Sequence, residues 1–262
     1  MTELVAARLM CAVMNIAAFI CCGPPAPGRR FQGGPRPWAE QIGGRESWQW
    51  SVAAILDAGL EHGQIGLIGS PEVASVARDA GLVGMIPPVG TTNEEIRRAS
   101  MVDWLCEGGI DGMEGKLGAA LDLALIVPPV CPFLSAAAIH RALAQWPAGR
   151  HSGPDAVFAA RPLAHRVWEE GDVLEPGWEL IESKAGPKWP GRLYVESGGL
   201  YVVGIDMLRS SGRFAGWREA RGIPVSWLEG LRTDDPEELA AIKLAWPAAV
   251  TKGRANGKGG RP

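Results

Sequence analysis

The residues best suited to chemistry lie in one short stretch, Cys21 to Trp38, "CCGPPAPGRRFQGGPRPW". Arg29, Arg30 and Arg36 stand there among glycines and prolines. Guanidinium groups grip phosphate through paired N–H donors, and a glycine-rich backbone can turn its own N–H groups onto an anion. The stretch follows an apolar run, "MNIAAFICC". A stiff cationic loop leaving a buried strand either cradles phosphates or is a solvated surface excursion, and the residues alone leave both readings open. Two further stretches have chemical character. "ESGGLYVV" sets Gly198 and Gly199 inside a β-prone run, which marks a bulge or a close backbone approach to a ligand. "TDDPEE" gathers Asp234, Asp235, Glu237 and Glu238. A helix start alone accounts for that cluster: Asp235 caps, and the glutamates favour the positive end of the dipole.

Other reactive side chains are weaker candidates. His165, in "RPLAHRVW", could meet a substrate carboxylate together with Arg161 and Arg166, although a histidine beside arginines is commonly a surface residue. Cys131 has a nucleophilic thiol but no histidine–carboxylate partner nearby in sequence, so the plain reading is a small core residue. The five cysteines form no CxxC pair and the four histidines are scattered, so no structural zinc spacing exists. They read as the reduced thiols of a cytoplasmic protein.

The bulk properties bound the rest. A chain of 262 residues supports one large domain or two small ones, and its apolar share supports a sizeable core. A formal net charge of -3 argues against a general nucleic-acid binder, which carries a basic excess. The N-terminal run "LMCAVMNIAAFICC" is too short for a bilayer span, which takes about 20 residues. Glu3 precedes it and no A-x-A site follows, so a buried first strand is expected rather than a secretory signal or a membrane segment.

The elements that must position these residues follow from periodicity and punctuation. "ESWQWSVAAILDAGL" (46–60) predicts a helix, "QIGLIGS" (64–70) a strand, and "PEVASVARDAGL" (71–82) a helix opening on Pro71 and closing at Gly81. "GMIPPVG" reads as a short extended piece and 93–108 as an amphipathic helix. "LDLALIVPPVCPF" (121–133) is a continuous apolar run, the pattern of a strand buried on both faces and ended by prolines. A helix over 135–146 capped by Ser135 and a strand over 155–160 come next. Residues 161–193 lose the pattern and suggest an inserted arm. A strand over 193–208, another in "IPVSWLE" and a helix over 235–246 capped by Asp235 complete the set. Alternating strands and helices predict an α/β fold with a mainly parallel central sheet flanked by helices. In such sheets ligands sit beyond the carboxyl ends of the strands, which is where the cationic loop begins.

The order of these pieces resembles the cytidylyltransferases that activate acidic sugars: the acylneuraminate (CMP-sialic acid) synthetases and their ketodeoxyoctonate-activating relatives. The resemblance covers about residues 14–246 and rests on five stretches. These are "IGGRESWQWSVAAILDAGL", "GLIGSPEVASVARDAGL", "LALIVPPVCPFLSAAAIHRAL", "YVESGGLYVV" and "RTDDPEELAAIKLA". It implies a nucleotide-diphospho-sugar transferase-like (Rossmann-like) fold over residues 1–250 as one domain. It also implies a candidate dimerisation arm at 161–193, a flexible basic tail at 251–262, and a cytoplasmic homodimer. The implied activity is transfer of a cytidylyl group from CTP to a sialic-acid-like sugar acid, with release of pyrophosphate and help from Mg²⁺.

The resemblance also assigns residues. Arg29, Arg30, Gln32, Gly33, Gly34, Pro35 and Arg36 would hold the nucleotide, with Arg29 and Arg36 acting on the triphosphate. Asp234 would hold the metal, and Ser197, Gly198, Gly199 and His165 would line the sugar side. Several family residues are replaced. Gln32 and Pro37 stand for two loop lysines, and Gly69 or Ser70 for the aspartate of a Thr-Asp turn. Pro128, Val130 and Cys131 replace Gln, Thr and Ser in a Gln-Pro-Thr-Ser-Pro-Leu turn, in which Pro129 and Pro132 remain. Ser197 replaces an asparagine, and Arg232 stands where the first of two metal-binding aspartates is expected. Two accounts follow: a divergent enzyme with altered metal dependence, or a non-catalytic relative that binds a nucleotide or a partner enzyme.

Overall fold

A computed structural model describes residues 14–22, 36–86, 105–146, 153–162, 168–170, 178–180, 194–211 and 219–256. The first strand, β1 (Ile16–Cys22), is buried over nearly its whole length. Ile16, Ala18, Ile20 and Cys22 join one side of the core, and Ala17 and Phe19 the other. This period-two division is what a strand covered on both faces produces. After it come a two-residue hairpin, β2 (Gln41–Ile42) and β3 (Arg45–Glu46), and helix α1 (Ser47–Asp57). Strand β4 (Ile65–Gly69), helix α2 (Pro71–Asp79) and strand β5 (Val83–Met85) follow. Pro71 opens α2 as expected, Ser70 caps it by accepting from Val73 N, and Gly81 leaves it at φ +74°.

The next elements are helix α3 (Ile110–Leu117), strand β6 (Leu123–Ile126), helix α4 (Ala136–Leu143) and strand β7 (Ala156–Pro162). A small antiparallel pair, β8 (Trp168–Glu170) and β9 (Trp178–Leu180), lies in the segment expected to be an arm. Strand β10 (Tyr194–Gly204), helix α5 (Ile205–Ser211), strand β11 (Ala220–Pro224) and helix α6 (Pro236–Asn256) complete the described chain.

Seven strands form one sheet in the order β11-β7-β10-β6-β1-β4-β5. All pairings are parallel except those of β10, which runs antiparallel to both β6 and β7. The expected α/β fold with a mainly parallel sheet and flanking helices is therefore present. Helices α1, α2 and α4 cover one face, with Trp48, Ile55, Val73, Ile139 and Leu143 in the core. Helices α3 and α5 cover the other, through Ile110, Met113 and Leu208. Each fully buried Ile, Leu or Phe contributes about 1.5–3 kcal/mol relative to exposure.

Four expectations differ from the structure. The strand expected over 121–133 ends at Ile126. Pro128, Pro129 and Pro132 lack the N–H a ladder needs, so the rest of the run is a buried turn. The helix expected over 93–108 is not among these, since all but 105–108 lies outside the described residues; α3 is a separate helix from Ile110. Strand β10 stops at Gly204 and gives way to α5, whereas a strand was expected to 208. Strand β11 runs over 220–224 and keeps only Ile223 and Pro224 of "IPVSWLE", and α6 runs past 246 and through Pro247. No helix among the described residues is long and apolar enough to cross a membrane.

Candidate functional site

The parallel strands β1, β4, β6, β7 and β11 all end on one side of the sheet, and antiparallel β10 begins there. That edge therefore collects Cys22, Gly69, the turn after Ile126, Arg161, Glu196–Gly199 and the chain after Pro224. Thr233, in the chain after Pro224, joins the turn after Ile126 to Pro37 at the end of the cationic stretch. Its backbone N donates to Val130 O at 2.8 Å, and its hydroxyl donates to Pro37 O at 3.1 Å. Ser47 Oγ, at the start of α1, lies 3.5 Å from the same hydroxyl. Ser51 Oγ donates to Pro128 O at 3.2 Å and ties the proline turn to α1. Ser47, Ser51 and Thr233 are fully buried, so these bonds satisfy groups that water does not reach. They bring the end of the cationic stretch within one residue of the segment carrying Asp234.

Beside this junction lies a cavity of about 550 Å³, lined by Arg161, Glu196, Ser197, Gly198, Tyr201, Arg232 and the 234–238 segment. Its floor is a bulge. The pairing of β10 with β7 shifts register between Glu196 and Tyr201, as the two glycines in "ESGGLYVV" predict. Gly198 sits at φ +67°, in the left-handed region that glycine enters without a steric penalty. The bulge lets Tyr201 donate its hydroxyl to the Glu196 carboxylate across the glycines. Burial first, and this bond second, push the Tyr201 phenol above its ordinary value. Ser197 is buried: its hydroxyl donates to Ala159 O at 3.0 Å and accepts from Gly199 N at 3.3 Å.

The centre of the cavity wall is an ion pair. Arg232 donates from Nε to Asp234 Oδ1 and from Nη2 to Asp234 Oδ2, both at 2.7 Å. Its Nη1 donates to Gly198 O at 3.3 Å. The two side chains are only 20% and 10% exposed, so this fork is better shielded than a surface pair. Burial pulls the Arg232 guanidinium down, but the hydrogen bonds to Asp234 and its negative charge hold it above its ordinary value. Glu238 binds Arg161 at 2.9 Å and accepts from the Arg232 backbone N at 2.8 Å. Asp235 caps α6 as expected, accepting from Glu237 N and Glu238 N at 3.0 Å. Carboxylates thus outnumber guanidinium groups around the cavity.

The other expected site residues fall as follows. Arg36 donates to Glu72 at 2.6 Å, with its guanidinium 6.0 Å from the centre of the Trp38 ring. Both partners of that ion pair are about half exposed, so the bond is readily exchanged for another anion. Arg29, Arg30, Gln32, Gly33, Gly34, Pro35 and His165 lie outside the described residues. Cys131 is fully buried, and burial pushes its thiol up to about 12, which leaves no thiolate for nucleophilic attack near neutrality. Glu196, Tyr201 and Glu238, which line the pocket, and Thr233, which ties the junction beside it, had no site role assigned from the sequence. The Glu–Tyr pair flanking Gly198–Gly199 was a visible signal for the first two.

Mg²⁺ takes oxygen ligands in near-octahedral geometry, and Asp234 was expected to supply one. Both oxygens of that carboxylate are engaged by Arg232, itself a cation. Among the described residues no group of three or more His, Cys, Asp or Glu side chains could hold a metal. Asp234, held in this fork, does not fit the role of a Mg²⁺ ligand.

The sheet order, with one antiparallel strand inserted beside β6, places the chain in the nucleotide-diphospho-sugar transferase fold. Solved structures that share it include cytidylyltransferases. The 4-diphosphocytidyl-2C-methyl-D-erythritol synthase of Anaerococcus prevotii DSM 20548 matches with a TM-score of 0.60 and 14% identity, over 90% of this chain and 97% of that one. A CMP:2-keto-3-deoxy-manno-octonic acid synthetase, solved in complex with CTP, matches with a TM-score of 0.59 and 12% identity, over 89% and 99%. A further 4-diphosphocytidyl-2C-methyl-D-erythritol synthase matches at 0.59 and 14%, over 88% and 98%. No protein-family profile matches the chain, and no curated protein matches it in sequence.

Proposed function

We propose that the chain is a nucleotidyltransferase that moves a cytidylyl group from CTP to a small sugar-like acceptor and releases pyrophosphate. The observation that carries this reading is the junction at Thr233. It draws Pro37, at the end of the arginine-bearing stretch, the proline turn and the Asp234 segment to the carboxyl edge of a sheet shared with cytidylyltransferases. Phosphoryl chemistry of this kind depends on positioning and on neutralising charge at the phosphoryl oxygens, which suits a sequence stretch carrying Arg29, Arg30 and Arg36. A sialic-acid-like sugar acid is the acceptor the motifs suggest. A homodimer in the cytoplasm belongs to the same reading. The test is pyrophosphate release from each of the four nucleoside triphosphates against a panel of sugar acids and sugar alcohol phosphates. CTP-specific turnover that falls in Arg29→Ala and Arg36→Ala supports it.

One observation favours a second reading. The fork between Arg232 and Asp234 occupies the carboxylate assigned to the metal, as expected if the fold binds a nucleotide or a partner enzyme without turnover. Calorimetric CTP binding with no pyrophosphate release from any acceptor supports that alternative.

A further inference from the structure

The cavity wall is built around a guanidinium. Gly198 holds a left-handed backbone, and a Cβ there would lie 2.3 Å from Arg232 Nη1. The bulge in β10 therefore leaves the volume that the guanidinium fills, and Gly198 O accepts a bond from it. On the other side Asp234 holds the side-on fork, and Glu238 fixes the Arg232 backbone N. Of the five N–H donors of an arginine, three are used by these partners. Two remain for a ligand in the cavity that Arg232 lines.

We propose that Arg232 is a resident cation standing in place of a divalent metal at Asp234, so that this pocket meets an anionic ligand group with guanidinium N–H donors and binds no metal there. The inference deepens the nucleotidyltransferase reading, and its part concerning CTP rests on that reading. A divalent ion at Asp234 would have to displace the fork and sit against a positive charge held within hydrogen-bond distance of the same carboxylate. An arginine, unlike a metal, cannot be removed by a chelator and stays charged throughout the working pH range.

The test is titration of EDTA-stripped protein with Mn²⁺, reading free Mn²⁺ by electron paramagnetic resonance. Wild type and Asp234→Asn should behave alike, because Asp234 is not a ligand. Arg232→Asp should gain Mn²⁺ binding by about tenfold or more, since it places two carboxylates on a hard cation. Arg232→Asn, smaller in its charge change, is the second variant, and circular dichroism confirms that each is folded. Mn²⁺ binding by wild type that Asp234→Asn abolishes overturns the proposal. So does the absence of any gain in both Arg232 variants when folded. Should neither of them fold, the comparison of wild type with Asp234→Asn decides alone. CTP is the second probe: binding in EDTA that weakens in Arg232→Ala supports the anion role, and binding in EDTA indifferent to Arg232→Ala overturns it. If the chain binds no CTP under any condition, the nucleotidyltransferase reading fails while the Mn²⁺ result still stands.

Discussion

Replacing Gly198 by alanine tests the geometry of the pocket most sharply. The added Cβ would lie 2.3 Å from Arg232 Nη1 and 3.5 Å from its Cζ. Two costs arise. A non-glycine residue held at φ +67° costs about 1–2 kcal/mol in backbone strain. If the guanidinium must move, the bonds to Gly198 O and Asp234 weaken, and hydrogen bonds to charged groups are worth about 1.5–3 kcal/mol. The sum is roughly 3–5 kcal/mol. In a domain of this size, that lowers the melting temperature by something on the order of 10 °C. The background variant Arg232→Ala separates the two costs. There the Cβ meets no guanidinium, so Gly198→Ala should cost only the backbone part, about 1–2 kcal/mol. Urea unfolding followed by tryptophan fluorescence gives both numbers. An equal cost in the two backgrounds would falsify the picture of a bulge shaped around the guanidinium.

Three further outcomes follow from the same structure. Thr233→Val removes the shorter of the two bonds to Pro37 O, leaving the one from Glu40 N at 3.5 Å, and should cost about 1–3 kcal/mol in urea unfolding, whereas Thr233→Ser should recover most of it; equal losses in both would contradict the junction. Native protein should leave Cys131 unmodified by iodoacetamide at neutral pH, with labelling appearing only on unfolding, because its thiol is buried and raised to about 12; mass spectrometry of tryptic peptides reads this. Glu114 is held below its ordinary value of 4.5 by the Leu121 backbone N–H, against opposing burial, and then by Arg209. A lowered folded-state value means its stabilisation is complete above 4.5 and fades as pH falls through the lowered value. The stability gap between wild type and Glu114→Gln should therefore close with acidification, and a gap constant across the acid range would be the wrong result.

Much of the fold is readable wherever local pattern and tertiary role agree. "MNIAAFICC" is apolar without interruption because β1 is covered on both faces. Pro71, Ser135 and Asp235 stand at helix starts for reasons internal to a single turn. Pattern fails where the reason is distant. Strand β11 is polar and mostly exposed, so nothing in "ARGIP" marks it except its pairing with β7. Helix α3 carries Gly112 and Gly115, poor helix formers, and is held by the burial of Ile110 and Met113. Prolines turned an apolar run into a buried corner, whose carbonyls are bound by Ser51 and Thr233 from far along the chain.

The site divides in the same way. Arg232 and Asp234 are two residues apart, so the replacement was visible but its fork was not. The bond between Arg161 and Glu238 spans 77 residues and has no local signature. The bulge was legible, since two glycines in a β-prone run have few other uses. What the bulge accommodates, the guanidinium of Arg232, becomes visible only when β10 and the 232–234 segment are set side by side.

The most direct measurement is a crystal structure of the protein grown with CTP in the presence of EDTA. The account predicts triphosphate density at the carboxyl edge of the sheet, between the Pro37 segment, the turn at Pro128–Cys131 and the Arg232–Asp235 segment. Nucleotide bound on another face of the sheet, or a cleft that stays closed by Arg232 and its partners while CTP is excluded, would contradict it.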